Sequence, residues 1–274
     1  MRRWLVLMLL LSVCFSLSIP FFGKIAVVKL HGEIGGDVKA EDIVDVLEEI
    51  DRNPFYVAVV LDIDSGGGSA VEAHEIVKAL DSLGKPKIAR IGDMGASGAY
   101  WIATACDYIV ADELSIVGSV GASSIFYSPQ KLAEKLGVEV YEVVYPQNKS
   151  FGSLLFNATF LPYAREMVKS AGEYFVRDVL SRRPQTKPYL TGLPYLAKDA
   201  PELVDAYGGM KEAIEKAKEL SNARHAEVEY IEPRRGLKSV LEEIFSSSWI
   251  AVPFSDTKGP LYFLQLSFKL LHKF

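Results

Sequence analysis

The chain has 274 residues, 49% of them hydrophobic, enough to bury the core of one large α/β domain or two small ones. Its 30 basic and 35 acidic side chains leave a formal charge of −5, which gives no reason to expect a nucleic acid as partner. Cys14 and Cys106 are not spaced for a metal or a disulfide framework, and His31, His74, His225 and His272 are scattered, so neither metal nor cofactor is expected.

At the N-terminus Arg2 and Arg3 precede an uncharged run from Trp4 to Gly23, long enough to span a bilayer as a helix, with the arginines favouring a cytoplasmic start. A cleaved signal peptide is the rival reading, since Ser16-Leu-Ser18 offers small residues before a cut. Ile19 and Pro20 just beyond argue against cleavage, and the expectation is an uncleaved anchor over 1–23. Either way the rest of the chain lies outside the cytoplasmic membrane.

After the anchor, Lys24 to Leu30 is a β-branched run that predicts a first strand. Ile43, Val44, Val46, Leu47 and Ile50 have the spacing of an amphipathic helix over 40–52. Tyr56 to Ile63 is nearly continuous in apolar residues, as in a strand covered on both faces. The glycine loop Asp64-Ser-Gly-Gly-Gly-Ser69 follows, and then a helix over about 70–83. A third strand, Lys87 to Ile91, leads into Gly92-Asp-Met-Gly-Ala-Ser97-Gly-Ala-Tyr100, and an apolar helix runs on to Cys106. A fourth strand is expected at Tyr108 to Ala111, a helix near Pro129 to Leu136, and a strand at Val138 to Tyr145. Helices over about 161–181 and 210–220 complete a domain at 24–222. Alternation of this kind predicts an α/β fold with a mostly parallel sheet. Residues 223–274 read as a C-terminal extension, apolar and basic from Pro260 onward, suited as a helix to a membrane surface, to a neighbouring subunit or equally to docking on its own domain.

Ser97 is the chemically suggestive residue. Small neighbours let a substrate backbone approach, and a strand-to-helix corner puts the hydroxyl beside unpaired backbone N–H groups. The same features describe an ordinary helix N-cap. The glycine loop at 66–68 lacks the endings of a phosphate loop and of a dinucleotide site, but in a parallel sheet it and the Ser97 corner share one edge, where ligands bind. A histidine-based triad is poorly supported. Gly95-Ala-Ser97-Gly-Ala99 misses the Gly-x-Ser-x-Gly elbow at its last position, and the late histidines lie in a charged segment and a terminal tail.

The ordered set of motifs (the glycine loop, the Ser97 patch with Tyr100-Trp-Ile-Ala-Thr104, Asp107-Tyr-Ile-Val-Ala-Asp112 and Val117-Gly-Ser119-Val-Gly121) resembles the signal peptide peptidase A family in its short form. Leu190-Thr-Gly192 and Leu203-Val-Asp-Ala-Tyr-Gly-Gly209 resemble its later segments, so that the likeness spans roughly 24 to 220. The resemblance implies a membrane-anchored serine protease of the ClpP/crotonase superfamily, with repeated β-β-α units, a Ser-Lys dyad, no cofactor and homo-oligomeric assembly. By the same resemblance Ser97 is the nucleophile and Lys149, in the context Lys149-Ser-Phe-Gly-Ser153, is the base. Ser119 orients the lysine, and the N–H groups of Gly98 and of Gly67 or Gly68 form the oxyanion hole. A lysine acts as a base only if burial disfavours its charged form, which Phe151, Leu154 and Leu155 are expected to assist. Gly66 replaces the family's usual proline, and Pro146-Gln-Asn-Lys149 keeps only one lysine of a segment that usually has two.

The resulting expectation is an extracytoplasmic, single-pass membrane peptidase acting on cleaved signal peptides or other hydrophobic, membrane-associated peptides. Two alternatives stay open at this point. One is a non-catalytic membrane-assembly module that keeps the fold. The other is a crotonase-like acyl-thioester enzyme, which would bind coenzyme A and form no covalent serine adduct.

Overall fold

A computed structural model of the chain describes residues 23–139, 141, 143, 145–146, 149 and 161–233. The expected anchor and the cluster of Phe151, Leu154 and Leu155 therefore lie outside the described residues. None of the described helices is long and apolar enough to cross a membrane. The chain divides into two units at Pro233, and the account below concerns the first.

The first half alternates as the hydrophobic pattern predicts. Strands β1 (Lys24–His31), β2 (Tyr56–Ser65) and β3 (Lys87–Ala96) are separated by helices α1 (Ala40–Arg52) and α2 (Ala70–Ser82). Helix α3 (Gly98–Thr104) follows β3 after one residue, and β4 (Tyr108–Ala111) and β5 (Ile116–Gly118) come next. Then come α4 (Gln130–Lys135), α5 (Leu161–Arg182), β6 (Pro194–Leu196), β7 (Ala206–Tyr207), α6 (Met210–Leu220) and β8 (Glu227–Ile231). The strands form one sheet of order β6-β5-β3-β2-β1-β8, with β4 pairing β3 and β7. Every pairing is parallel except β5 with β6. This is a mixed α/β fold with a mostly parallel sheet.

Side chains alternate across the sheet with period two. Val28, Leu30, Leu61, Ile63, Ala89 and Ile91 face α1, α2, α3 and α5 in the larger core. Ile25, Val27, Val60, Ile88 and Val110 face Ala213 and Ala217 of α6 on the other side. Burial on both faces explains why β2 reads as a continuous apolar run. Helix α1 buries Ile43, Val46, Leu47 and Ile50, and its C-terminal carbonyls are met by the Lys85 ammonium, which donates to the carbonyls of Ile50 and Asn53. Burial holds that ammonium below the ordinary lysine range.

Three local expectations change. Strand β3 runs on to Ala96, five residues beyond the apolar stretch, because β2 and β5 flank it as far as Gly95 and Ala96. The strand expected at 138–145 is absent among its described residues, where Val138, Tyr141, Val143 and Tyr145 have exposed side chains. An alternating pattern without a neighbouring strand does not make a sheet. Finally β8, which falls in the expected extension at 223–274, pairs with β1 from Lys24 to Val28 and belongs to the sheet.

Candidate active site

Ser97 sits alone between β3 and α3, with φ +53° and ψ −126°. A side chain at positive φ costs about 1–3 kcal/mol and persists only where surrounding structure fixes it. That fixing is visible here. The Ser97 N–H donates to the Gly118 carbonyl at 2.8 Å, and its carbonyl accepts the Trp101 N–H at 3.0 Å. The Ser97 side chain makes no capping hydrogen bond, so the N-cap role open to it on sequence grounds is not realised. Its hydroxyl is left for other chemistry, in a partly exposed position.

Helix α3 holds the corner from behind. All its residues are buried, with Tyr100 donating its hydroxyl to the Leu203 carbonyl at 2.8 Å. Burial pushes the Tyr100 phenol well above its usual range. Trp101, one turn after Ser97, stacks on Phe175 and His74 with centroids 4.6 and 5.2 Å apart. Its indole N–H donates to Asp178 at 2.7 Å, and Asp178 and Asp81 together hold Arg182. Helices α2, α3 and α5 are locked together one turn from the nucleophile candidate.

The glycine loop lies against this corner. A Cβ on Gly67 (φ +99°) would stand 2.8 Å from the Gly98 nitrogen and 2.8 Å from the Ser97 Cβ, so only glycine permits the approach. Gly68 (φ +149°) is pressed from the other side, where a Cβ would lie 2.1 Å from the Ile34 carbonyl oxygen. Ile34, buried in the loop after β1, donates its N–H to the Gly67 carbonyl and accepts the Ser69 N–H. Sequence reasoning passed over Ile34. An isolated apolar residue beside Gly35-Gly36 was the available signal.

The two candidate loop donors are not equivalent. The Gly67 N–H is committed to the Ser65 hydroxyl at 3.1 Å. The Gly68 and Gly98 N–H groups have no hydrogen-bond partner among the described residues, and the Gly68 nitrogen lies 3.7 Å from the position of a Cβ on Gly98. Two free, neighbouring N–H groups beside a serine can bind the oxygen of a polarised carbonyl; Gly68 and Gly98 supply that pair.

Ser119 occupies the next corner, after β5. It too has positive φ, +54°. Its N–H donates to the Leu193 carbonyl at 3.0 Å and its hydroxyl to the Gly192 carbonyl at 3.2 Å. Gly118 lies between the two serines and accepts the Ser97 N–H, so Ser97 and Ser119 are tied to the same short strand. Lys149 is different. Its N–H donates to the Pro146 carbonyl at 2.8 Å, its side chain is exposed, and no described contact brings it to Ser97 or Ser119. The structure thus assembles Ser97, Gly67, Gly68, Gly98 and Ser119 around one edge and leaves Lys149 outside that set. Among the described residues no group of acidic, histidine or cysteine side chains could hold a metal ion.

The sequence profile of peptidase family S49 matches residues 79–224. Protease 4 of Haemophilus influenzae is 32% identical over 228 residues, covering 73% of this chain and 35% of that protein. The chloroplastic serine protease SPPA of Arabidopsis thaliana is 28% identical over 252 residues, 82% of this chain and 37% of that protein. The chain thus spans about a third of the length of these relatives. Among solved structures, a mutant of a membrane-bound stomatin-specific protease in complex with a substrate peptide matches with a TM-score of 0.51 at 14% identity, covering 80% of this chain and 95% of that one.

Proposed function

The chain belongs to peptidase family S49, and from that premise we propose that it is a serine endopeptidase using Ser97 as nucleophile and Lys149 as general base. The observation that carries this reading is the Ser97 corner: a serine held at positive φ beside the unpartnered N–H groups of Gly68 and Gly98. In acylation the neutral Lys149 amine takes the Ser97 hydroxyl proton while Oγ attacks the scissile carbonyl carbon. Negative charge gathers on the carbonyl oxygen, where the Gly68 and Gly98 N–H groups receive it. Collapse breaks the C–N bond, and the Lys149 ammonium returns its proton to the leaving amine. A water then loses a proton to the same lysine and attacks the ester carbonyl, and as the C–O bond to Ser97 breaks, the Lys149 ammonium returns the proton to Oγ and restores the free serine. Such preorganised donors are worth about 10²–10³ in rate each.

Ser119 fits the orienting role. Its own proton is given to Gly192, so its oxygen is free to accept an N–H from the lysine and turn the amine lone pair toward Ser97. A peptide lying across the exposed Lys149 would exclude water from it, as a lysine base requires. The expected substrates are cleaved signal peptides and other hydrophobic peptides near a membrane. Residues 1–23 serve as the anchor, the catalytic domain is extracytoplasmic, and the sheet belongs to the repeated β-β-α type of the ClpP/crotonase superfamily. Assembly into a homo-oligomer covers the exposed apolar arm between Gly121 and Pro146.

Mass spectrometry after fluorophosphonate labelling tests nucleophile and base together. The wild type should gain one adduct on Ser97, and Ser97→Ala and Lys149→Ala should gain none while melting as the wild type does. Full labelling of Lys149→Ala would sink the dyad. An unlabelled wild type that binds coenzyme A would favour thioester chemistry instead.

A further inference from the structure

The loop Leu190-Thr-Gly-Leu193 carries hydroxyl chemistry that the dyad does not use. The Thr191 Oγ accepts the Leu193 N–H at 3.3 Å, closing a side-chain-to-backbone turn around Gly192, whose φ is +82°. The Thr191 hydroxyl also shares a 2.6 Å hydrogen bond with the Tyr195 hydroxyl. Tyr195 lies on β6, paired with Val117 of β5, and its ring meets Tyr189 edge-on at 5.4 Å. A Cβ on Gly118 would touch Tyr195 Cδ2 at 3.5 Å, so the ring also packs beneath the residue that accepts the Ser97 N–H. The turn presents two carbonyls to one residue: Leu193 takes the Ser119 N–H and Gly192 takes the Ser119 hydroxyl proton. Glu173 and Arg177 of α5 share a groove of about 550 Å³ with Thr191 and Gly192, and Glu202 hydrogen-bonds the Tyr189 hydroxyl on the Tyr195 side; these are charged groups that face the loop among the described residues.

We propose that Thr191, braced by Tyr195, is a positioning residue that fixes the Gly192 carbonyl as the acceptor of the Ser119 proton and so keeps the base's lone pair free. The inference rests on the Ser97/Lys149 reading. A hydroxyl has one proton and two lone pairs. While the proton goes to Gly192, Ser119 can only accept from the lysine amine. If the Gly192 carbonyl swings away, the Ser119 proton can turn to the amine lone pair, the same pair that must take the Ser97 proton. Such a hydrogen bond favours the neutral amine and blocks it.

This gives a signature that simple loosening of a loop does not. In Thr191→Val the rate constant of fluorophosphonate labelling should fall roughly tenfold at its high-pH plateau, a fraction of the roughly 10²–10⁴ that a positioned proton-transfer group contributes, because the base is misoriented part of the time and not removed. The acid limb of its pH profile should also move to lower pH. Thr191→Ser should label within about twofold of wild type, because it keeps the hydroxyl. Tyr195→Phe should show the same pattern as Thr191→Val at smaller amplitude. An acid limb that stays put or moves to higher pH in Thr191→Val overturns the proposal, as does an unchanged profile. Labelling that is lost in Lys149→Ala yet normal in Thr191→Val overturns this inference alone. Labelling that survives Lys149→Ala overturns the dyad and this inference with it.

Discussion

The corner that holds Ser97 and the arm that leads to Lys149 are built on opposite terms. The corner is fixed by hydrogen bonds from β5, by a glycine loop too close for any Cβ, and by a helix with every residue buried. Among its described residues the arm from Gly121 onward has one short helix, α4, with no buried residue, and Ile125, Tyr141, Val143 and Tyr145 are 77%, 84%, 99% and 93% exposed. An apolar surface of this kind is more often the mark of a partner than of a free surface. The difference teaches that the half of the site serving the nucleophile and oxyanion is preorganised by the fold of one chain. The half that carries the base has no described contact of that strength. Loss of activity should therefore come from different causes in the two regions, strain and clash in one and loss of order in the other.

The largest effect should come from the corner. Gly68→Ala sets a methyl group against the Ile34 carbonyl and demands a φ that alanine resists. It should lower fluorophosphonate labelling at least about a hundredfold, and a wild-type rate would show that the loop is softer than described. Ile34→Ala should cost about 2–4 kcal/mol in urea unfolding, as a fully buried aliphatic side chain does.

Asp178 sharpens the comparison further from the chemistry. Burial raises its pKa, but hydrogen bonds from Arg182 and Trp101 outweigh burial and hold the carboxyl below its ordinary value. A depressed folded value means that its stabilisation is complete above the unfolded value near 3.8 and is lost as pH falls through the folded one. Asp178→Ala should destabilise by about 1–3 kcal/mol at neutral pH, and the gap from wild type should close in melting curves taken below about pH 4. A gap independent of pH would remove the ion pair from the explanation. Cys106 reports on the same core. Burial pushes its thiol up to about 12, so in a Cys14→Ser background a thiol reagent at pH 8 should label it only after unfolding. Smallest of all, Tyr141→Ser and Val143→Ser should leave the unfolding free energy within about 0.5 kcal/mol of wild type. If sedimentation shows that they also lower the assembly state, the arm is a subunit contact.

The alternating first half was legible because β1, β2 and β3 and their helices each carry a long periodic run, and the small residues around Ser97 marked the corner correctly. The β5–β6 edge was not legible. Each of those strands has three residues, too few for a period to register, and their pairing joins segments far apart in the chain. The extension of β3 to Ala96 depends on neighbours in space and leaves no local apolar signal. Strand β8 was hidden for another reason: an edge strand with alternating glutamates reads as a solvated tail until Lys24 is seen pairing with Glu229. The segment 138–145 shows the converse, a strand-like alternation with no neighbouring strand among the described residues.

Among the described residues only three that are not glycine have positive φ: Ser97, Ser119 and Asn222. Asparagine enters that region readily, whereas serine does so less often. At both serines the backbone would be more relaxed with no side chain at all, and at Ser97, whose hydroxyl makes no capping hydrogen bond, glycine is the residue that stability alone would choose. Ser97→Gly should therefore melt no lower than wild type, whereas in Ser119→Gly the relief is set against the lost hydrogen bond to the Gly192 carbonyl. The Ser97 hydroxyl stands where folding has least use for it, which makes its presence a measure of what the chain gives up in robustness to keep a reactive edge.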